Sequence, residues 1–318
     1  MPWARTVASV IVTTSPTAPL RRRALLGAGA LGLLGACSSP GQKPGARPVP
    51  ETDPDTAVRL RELRATEALA ALYGSAPAPA LRPLRAQLAA QLAAFGQAPV
   101  ARTPVAESGA GPTPIPAASR AALAAAERAT ALGRRAALPA ASPALARLIA
   151  SVAASGAQRA VLLGGSAPAT APMPVTAALP ASALAALQAA LAAENAAIYG
   201  YGVIGALLEG QSRHRATASY SAHRARATAL QQQLGSRATP AAAAYELPFP
   251  VTGPASAVRL AALLENRLAA VYANGVQASG KALRTALASA LQQSALDALT
   301  WSGSGSAFPG LPERGAPH

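Results

Sequence analysis

Leu184-Ala-Ala-Leu187-Gln-Ala-Ala-Leu191-Ala-Ala-Glu194-Asn-Ala-Ala-Ile198-Tyr-Gly-Tyr201 decides how the chain is read. Its larger apolar residues recur at spacings of three and four, which places them on one face of a helix. Alanine fills most positions between them. Across the whole chain 51% of residues are hydrophobic but only 3% are aromatic, so a core must be built from Ala and Leu. These are the strongest helix formers among apolar residues, and the β-branched and aromatic strand formers are scarce. The sequence predicts an all-α protein.

Working outward from this stretch, the same pattern predicts helices at about 56–73, 80–96, 117–136, 143–163, 181–209, 213–235, 255–277 and 281–301. Pro and Gly fall between these runs, as punctuation. Each set of four helices has a long second crossover containing Pro, Gln97 to Pro116 and Gly235 to Pro254. Four helices with one long crossover is the layout of ferritin-like bundles. The expected organisation is a signal peptide at 1–36, a lipidated Cys and tether at 37–55, and a degenerate four-helix bundle at 56–165. A linker at 166–180, a second ferritin-like four-helix bundle at 181–302 and an irregular tail at 303–318 follow.

The start of the chain carries the export reading. Arg21-Arg22-Arg23 precedes thirteen uncharged residues, Ala24 to Ala36, and Leu34-Gly-Ala-Cys37 closes the run. A basic segment, a short apolar run and small residues before a cut site make a secretory signal. A membrane span needs about 20 residues, so this segment is too short to be one. Leu34 to Cys37 resembles the lipobox of bacterial lipoproteins, which implies acylation of Cys37. It is the single cysteine of the chain and so has no disulfide partner. The arginine pair also resembles a twin-arginine signal, leaving two export routes open. Residues 38–55 are rich in Pro and Gly and read as a tether.

The formal charge is +15, and removing the four arginines of residues 1–36 leaves +11. Arginines solvating helix faces account for this as simply as attraction to anionic envelope surfaces does. No basic block is interleaved with aromatics, so nucleic acid is not an expected partner. The membrane, through the lipid, is; an envelope protein or self-association is open.

The two halves look alike. Arg64 to Tyr73 lies over Leu191 to Tyr199, setting Glu67 opposite Glu194, and Glu127 falls opposite Glu265. Gln87 falls opposite His223, Ser155 opposite Ser294 and Gln158 opposite Asp297. In the second half the polar members sit on apolar stripes. Glu194 lies between Leu191 and Ile198, Glu265 between Ala261 and Leu268, and His223 between Tyr220 and Ala227. Asp297 shares a face with Leu287 and Trp301. A buried carboxylate costs several kcal/mol unless a cation or a proton compensates it.

Residues 184–313 resemble the ferritin-like domain of unknown function found in bacterial lipoproteins. The resemblance rests on Ala192-Ala-Glu-Asn-Ala-Ala-Ile-Tyr-Gly-Tyr-Gly202, Ala222-His-Arg-Ala-Arg226, Tyr245-Glu-Leu-Pro-Phe-Pro-Val251 and Phe308-Pro-Gly-Leu-Pro-Glu313. It implies a bundle related to ferritins and rubrerythrins, and brings no activity with it. Ferritin-like di-iron sites take one Glu from each of two helices and Glu-x-x-His from the other two. Glu194 and Glu265 match the single-Glu positions and His223 one histidine. Tyr220 and Ser294 stand where carboxylates would be needed, and Asn195 where the resemblance leads one to expect His. Gln87, Gln91 and Gln158 leave the first half a metal-free copy.

Two readings therefore stay open. In the first, these acids form an arginine-neutralised polar seam and the chain is a non-catalytic envelope lipoprotein that binds or scaffolds, with no cofactor. In the second, Glu194, His223, Glu265 and Asp297 hold iron or manganese in an oxidoreductase or iron-handling protein. No catalytic residue is expected in the first. There is no phosphate loop, nucleophile elbow or cysteine pair. Gly200 and Gly202 are expected to allow close helix contact. His214 and His318 read as solvated.

Overall fold

Proline, glycine and serine set the helix boundaries. The computed structural model describes residues 53–76, 78–96, 118–174 and 178–315. The arginine run, Cys37 and nearly all of the tether lie outside the described residues, as does the first crossover. Among the described residues there are eight α-helices and no strand. They are α1 Asp55–Gly74, α2 Arg82–Phe95, α3 Arg120–Ala137, α4 Pro143–Leu162, α5 Ala181–Leu207, α6 Gly210–Leu234, α7 Pro254–Ala278 and α8 Lys281–Ser302. Each matches a predicted helix to within about three residues.

The ends have local causes. Ser119 caps α3 by accepting from Ala122 N at 3.1 Å, and Ser142 caps α4 with Pro143 in its first turn. Asp55, at the start of α1, accepts a hydrogen bond from Ser142 N at 2.8 Å, so two helix starts are tied together. Gly96 and Gly303 end α2 and α8 at φ of 104° and 74°, a left-handed conformation that favours glycine.

Helices α1–α4 pack among themselves, as do α5–α8, and α4 joins the two groups by packing on α7 and α8. From Leu148 to Ala160 every residue of α4 is buried, so this helix has no solvent face there. One continuous apolar cluster runs from Val58 and Phe95 through Ile149 and Val152 to Leu287 and Leu291. A smaller one, with Leu69, Leu84, Leu88 and Leu123, lies under α1–α3. Helix α5 is long and apolar enough to cross a membrane, yet it packs on α6 and α7 and buries Glu194 against them.

Glycine permits one close crossing here. A Cβ at Gly200 would stand 2.5 Å from Leu264 Cδ1, whereas one at Gly202 would meet nothing within 4 Å. The expectation thus holds for Gly200 and is corrected for Gly202, which points away from the neighbouring helices.

Candidate functional site

Four helices bring one polar cluster together in the second half. Glu194 on α5, His223 on α6 and Glu265 on α7 are completely buried. The imidazole lies between the two carboxylates, with Nδ1 2.7 Å from Glu194 Oε2 and Nε2 3.0 Å from Glu265 Oε1. Its ring also stacks on Tyr201, with centroids 4.9 Å apart. Tyr201 donates to Glu265 Oε1 at 2.6 Å and accepts from Trp301 Nε1 at 2.9 Å. Tyr272 donates to Glu194 Oε1, and Arg226 Nε donates to the same atom at 2.9 Å.

These contacts decide the protonation states. Burial works against a charged imidazole, but hydrogen bonds to Glu194 and Glu265 outweigh it and push His223 up to about 9. Arg226 Nη2 stands 2.8 Å from Nδ1, a contact that by itself would suit an unprotonated nitrogen. Two carboxylates in contact with one ring carry more weight than a single guanidinium nitrogen, so both ring nitrogens hold protons. Burial likewise opposes ionisation of Glu194, but His223 and Arg226 hold it below the usual carboxylate range. Burial and their carboxylate partners raise both tyrosines. Two anions and two cations balance.

Asp297 stands apart. It is half-buried, its Oδ1 accepts from Gln293 Nε2 at 3.0 Å, and burial followed by the Glu265 charge pushes it up to about 6. Three of the four predicted site residues thus converge, and the fourth lies beside them, hydrogen-bonded to Gln293 of its own helix. His214 is exposed, as expected, and His318 lies outside the described residues.

The donor set does not fit a ferritin-like two-metal centre. Both imidazole nitrogens face carboxylates, and Arg226 brings a positive charge to Glu194 where a cation would bind. No group of three or more His, Cys, Asp or Glu among the described residues is arranged to hold a metal ion. The clefts at Leu84, Ala125, Tyr199 and Arg147 are lined by none of Glu194, His223 and Glu265.

The first half has its own buried charges, differently wired. Glu127 on α3 is completely buried and takes Arg159 from α4, with Nε 2.6 Å from Oε1 and Nη2 3.0 Å from Oε2. Gly156 leaves room for this carboxylate, since a Cβ there would lie 3.2 Å from Glu127 Oε2. Arg134 reaches Glu62 Oε2 at 3.3 Å and Thr66 Oγ1 at 2.7 Å. Burial, followed by the Arg159 charge, pushes Arg134 down to about 10. Burial and the nearby Glu127 carboxylate raise the Tyr73 hydroxyl.

Here sequence reasoning needs correction. The buried acids of α1 are Asp55 at its start and Glu62 in its middle, while Glu67 is half-buried. Tyr73 stands near Glu127 as Tyr201 stands near Glu265. Glu127 pairs with Arg159 of the facing helix, and its chain neighbour Arg128 is exposed. The cluster's guanidinium comes from Arg226, and Arg224 is exposed.

Nor are the first-half amides mere vestiges of ligands. They hold the C-terminal segment. Gln87 donates to Gly305 O at 3.0 Å, Gln91 to Ala307 O at 2.8 Å, and Gln158 Oε1 accepts from Ser306 N at 3.0 Å. Ser151 and Ser155 of α4 donate to Pro309 O and Ser306 O. The tail is non-helical apart from a short turn at Pro312–Arg314, and Phe308 to Leu311 are buried.

Fold and site together define an all-helical protein with a charge-balanced polar centre. Residues 186–313 match the family model of a domain of unknown function (DUF4439). The chain is also 36% identical to a conserved hypothetical protein, rv2844, from Mycobacterium tuberculosis, whose crystal structure is known. That match covers 38% of this chain and 89% of the other, with a TM-score of 0.37. No curated protein matches. The match to this domain of unknown function is confined to residues 186–313. The span includes the whole cluster from Glu194 to Trp301, and the tail through Glu313.

Proposed function

We propose that the chain is an exported lipoprotein, acylated on Cys37 and held at the outer face of the cell membrane. Its two ferritin-like bundles, arisen by duplication, then serve a binding or scaffolding role without catalysis. The observation that carries this reading is the bridging of Glu194 and Glu265 by His223. With Arg226, the charges of Glu194 and Glu265 are compensated from within the protein, and Glu194 has both carboxylate oxygens hydrogen-bonded without substrate or metal. An active site needs a reacting group that a substrate can reach, and His223 is wholly buried.

The repeat is supported by parallel placements. Gly164 and Gly303, both with positive φ just after a fourth helix, lie 139 positions apart, as do Ser155 and Ser294. Tyr73 with Glu127 mirrors Tyr201 with Glu265.

A metal-binding oxidoreductase or iron-handling protein is the second reading. The observation in its favour is Glu265 Oε2, a buried carboxylate oxygen that has no hydrogen-bond partner. Elemental analysis of purified residues 38–318 separates the two. Substoichiometric metal is expected; stoichiometric iron or manganese, lost in Glu194→Ala, would overturn the leading reading. Cell fractionation tests the anchor: Cys37→Ser should move the protein out of the membrane fraction, and retention there would contradict acylation.

A further inference from the structure

Each half is crossed by the segment that leaves the other. The tail, which follows α8, lies across α2 and α4 on Gln87, Gln91, Ser151, Ser155 and Gln158. The connection that follows α4 lies across α8. There Gln292 donates to Pro168 O at 2.8 Å, and Ala171 N donates to Ser289 Oγ at 3.0 Å. Both segments leave their helix at a glycine with positive φ, Gly164 at 88° and Gly303 at 74°. Between them α4 packs directly on α8, and Gln158 Nε2 donates to Ala295 O at 2.6 Å. Arg284, near the start of α8, donates to Leu138 O and Ala141 O of the first half.

We propose that the α4–α8 junction is a self-association interface internalised on one chain. The first half stands where a second copy of the second half would stand, and the two segments are straps exchanged across the junction. The inference rests on the duplication proposed above.

Three features point this way. A contact between loosely joined domains leaves each domain its own solvated helix surfaces, whereas α4 is buried on every side from Leu148 to Ala160. The apolar cluster passes through the junction unbroken, as in a permanent interface that resembles a core cut in two. The exchange is also reciprocal, with fourth helix against fourth helix and strap against the opposite half. That is how a two-fold contact between like units is arranged. The tail strap also rests on α7 of its own half at Gly310: its φ is 77°, and a Cβ there would fall 2.5 Å from Ala269 O.

Such a junction must hold without its covalent link. The test replaces residues 175–177 of the chain from residue 38 with a specific protease site and cleaves the folded protein. The strap after α4 then stays with the first piece and the tail with the second. Size-exclusion chromatography with mass detection should find the pieces together as a 1:1 pair, even on dilution to nanomolar concentration. Separate elution of the two pieces would overturn the proposal. Reciprocity is tested by Gln91→Leu with Ser155→Val on the tail side, and Gln292→Leu with Ser289→Val on the linker side. Each pair removes buried hydrogen bonds and should weaken the fragment pair about tenfold, with helical content by circular dichroism unchanged. Weakening by the tail-side pair alone, with the linker-side pair silent, would overturn the exchange and leave an ordinary domain contact. Failure of either kind leaves the metal and membrane measurements, which test the proposed function, untouched.

Discussion

His223 Nδ1 lies 2.7 Å from Glu194 Oε2, and neither side chain is exposed to any degree. A hydrogen-bonded ion pair in this setting is held by mutual need. Each partner lacks water, and each would be left uncompensated if the other were removed.

Removing the cation should therefore be costly. His223→Ala strands Glu194 and Glu265 on the inner faces of α5 and α7 and opens a cavity against the Tyr201 ring. Breaking a buried pair typically costs about 3–5 kcal/mol, and chemical denaturation should show a loss of that order. Exposed His214 serves as the control, and His214→Ala should leave stability unchanged within about 0.5 kcal/mol. A loss below about 1 kcal/mol for His223→Ala would mean that the carboxylates are satisfied by other means.

The same pair sets a pH dependence. His223 is raised from 6.5 in its ordinary state to about 9 in the folded protein. Its contribution is fully present below pH 6.5 and is lost as pH rises through about 9. Facing it are Glu194 and Tyr201 of α5, Arg226 of α6, Glu265 of α7 and Asp297 of α8. Asp297, raised to about 6, opposes stability as pH climbs from its ordinary range through that value. Thermal unfolding should therefore give a midpoint that falls steadily between pH 7 and 10 by several degrees. In His223→Gln this slope should flatten; an equal slope in the two proteins would assign it to other groups.

In the first half Arg159 should behave similarly. It holds Glu127 through two nitrogens and also reaches Gln91 and Ser155. Arg159→Met leaves Glu127 buried and alone, with an expected loss of about 3–5 kcal/mol. Adding Glu127→Leu should recover most of that, because two apolar side chains of similar volume carry no desolvation penalty. A double variant no more stable than Arg159→Met would show that the carboxylate was not the source of the loss.

Much of the fold could be read from the sequence. Ala/Leu runs leave no competing structure, and serine caps such as Ser119 and Ser142, or end glycines such as Gly96 and Gly303, mark the boundaries. Part of the site was legible for the same reason: Glu194, His223 and Glu265 interrupt apolar stripes, and burial follows from helical phase. The missing partners were illegible because long side chains escape phase. Arg226 lies three residues from His223 and bends back to Glu194, and Arg159 sits on a helix that is buried on every side there, so phase does not single it out. Gly156 gave the one available hint, a gap in α4 beside Glu127. In α1 the burial of Glu62 was harder to read than that of Glu194, because Glu67 lies five residues on and is only half-buried. Docking of the tail was hidden for another reason. Amides that accept and donate to backbone look, in sequence, like decayed metal ligands.

The most direct measurement is nitrogen-15 NMR of the imidazole groups in the chain from residue 38, which contains three histidines, His214, His223 and His318. At pH 7 the His223 ring should show two protonated nitrogens, both shielded from exchange, and should keep them until pH approaches 9. A ring with one unprotonated nitrogen at pH 7, or one shifted by bound metal, would contradict the account.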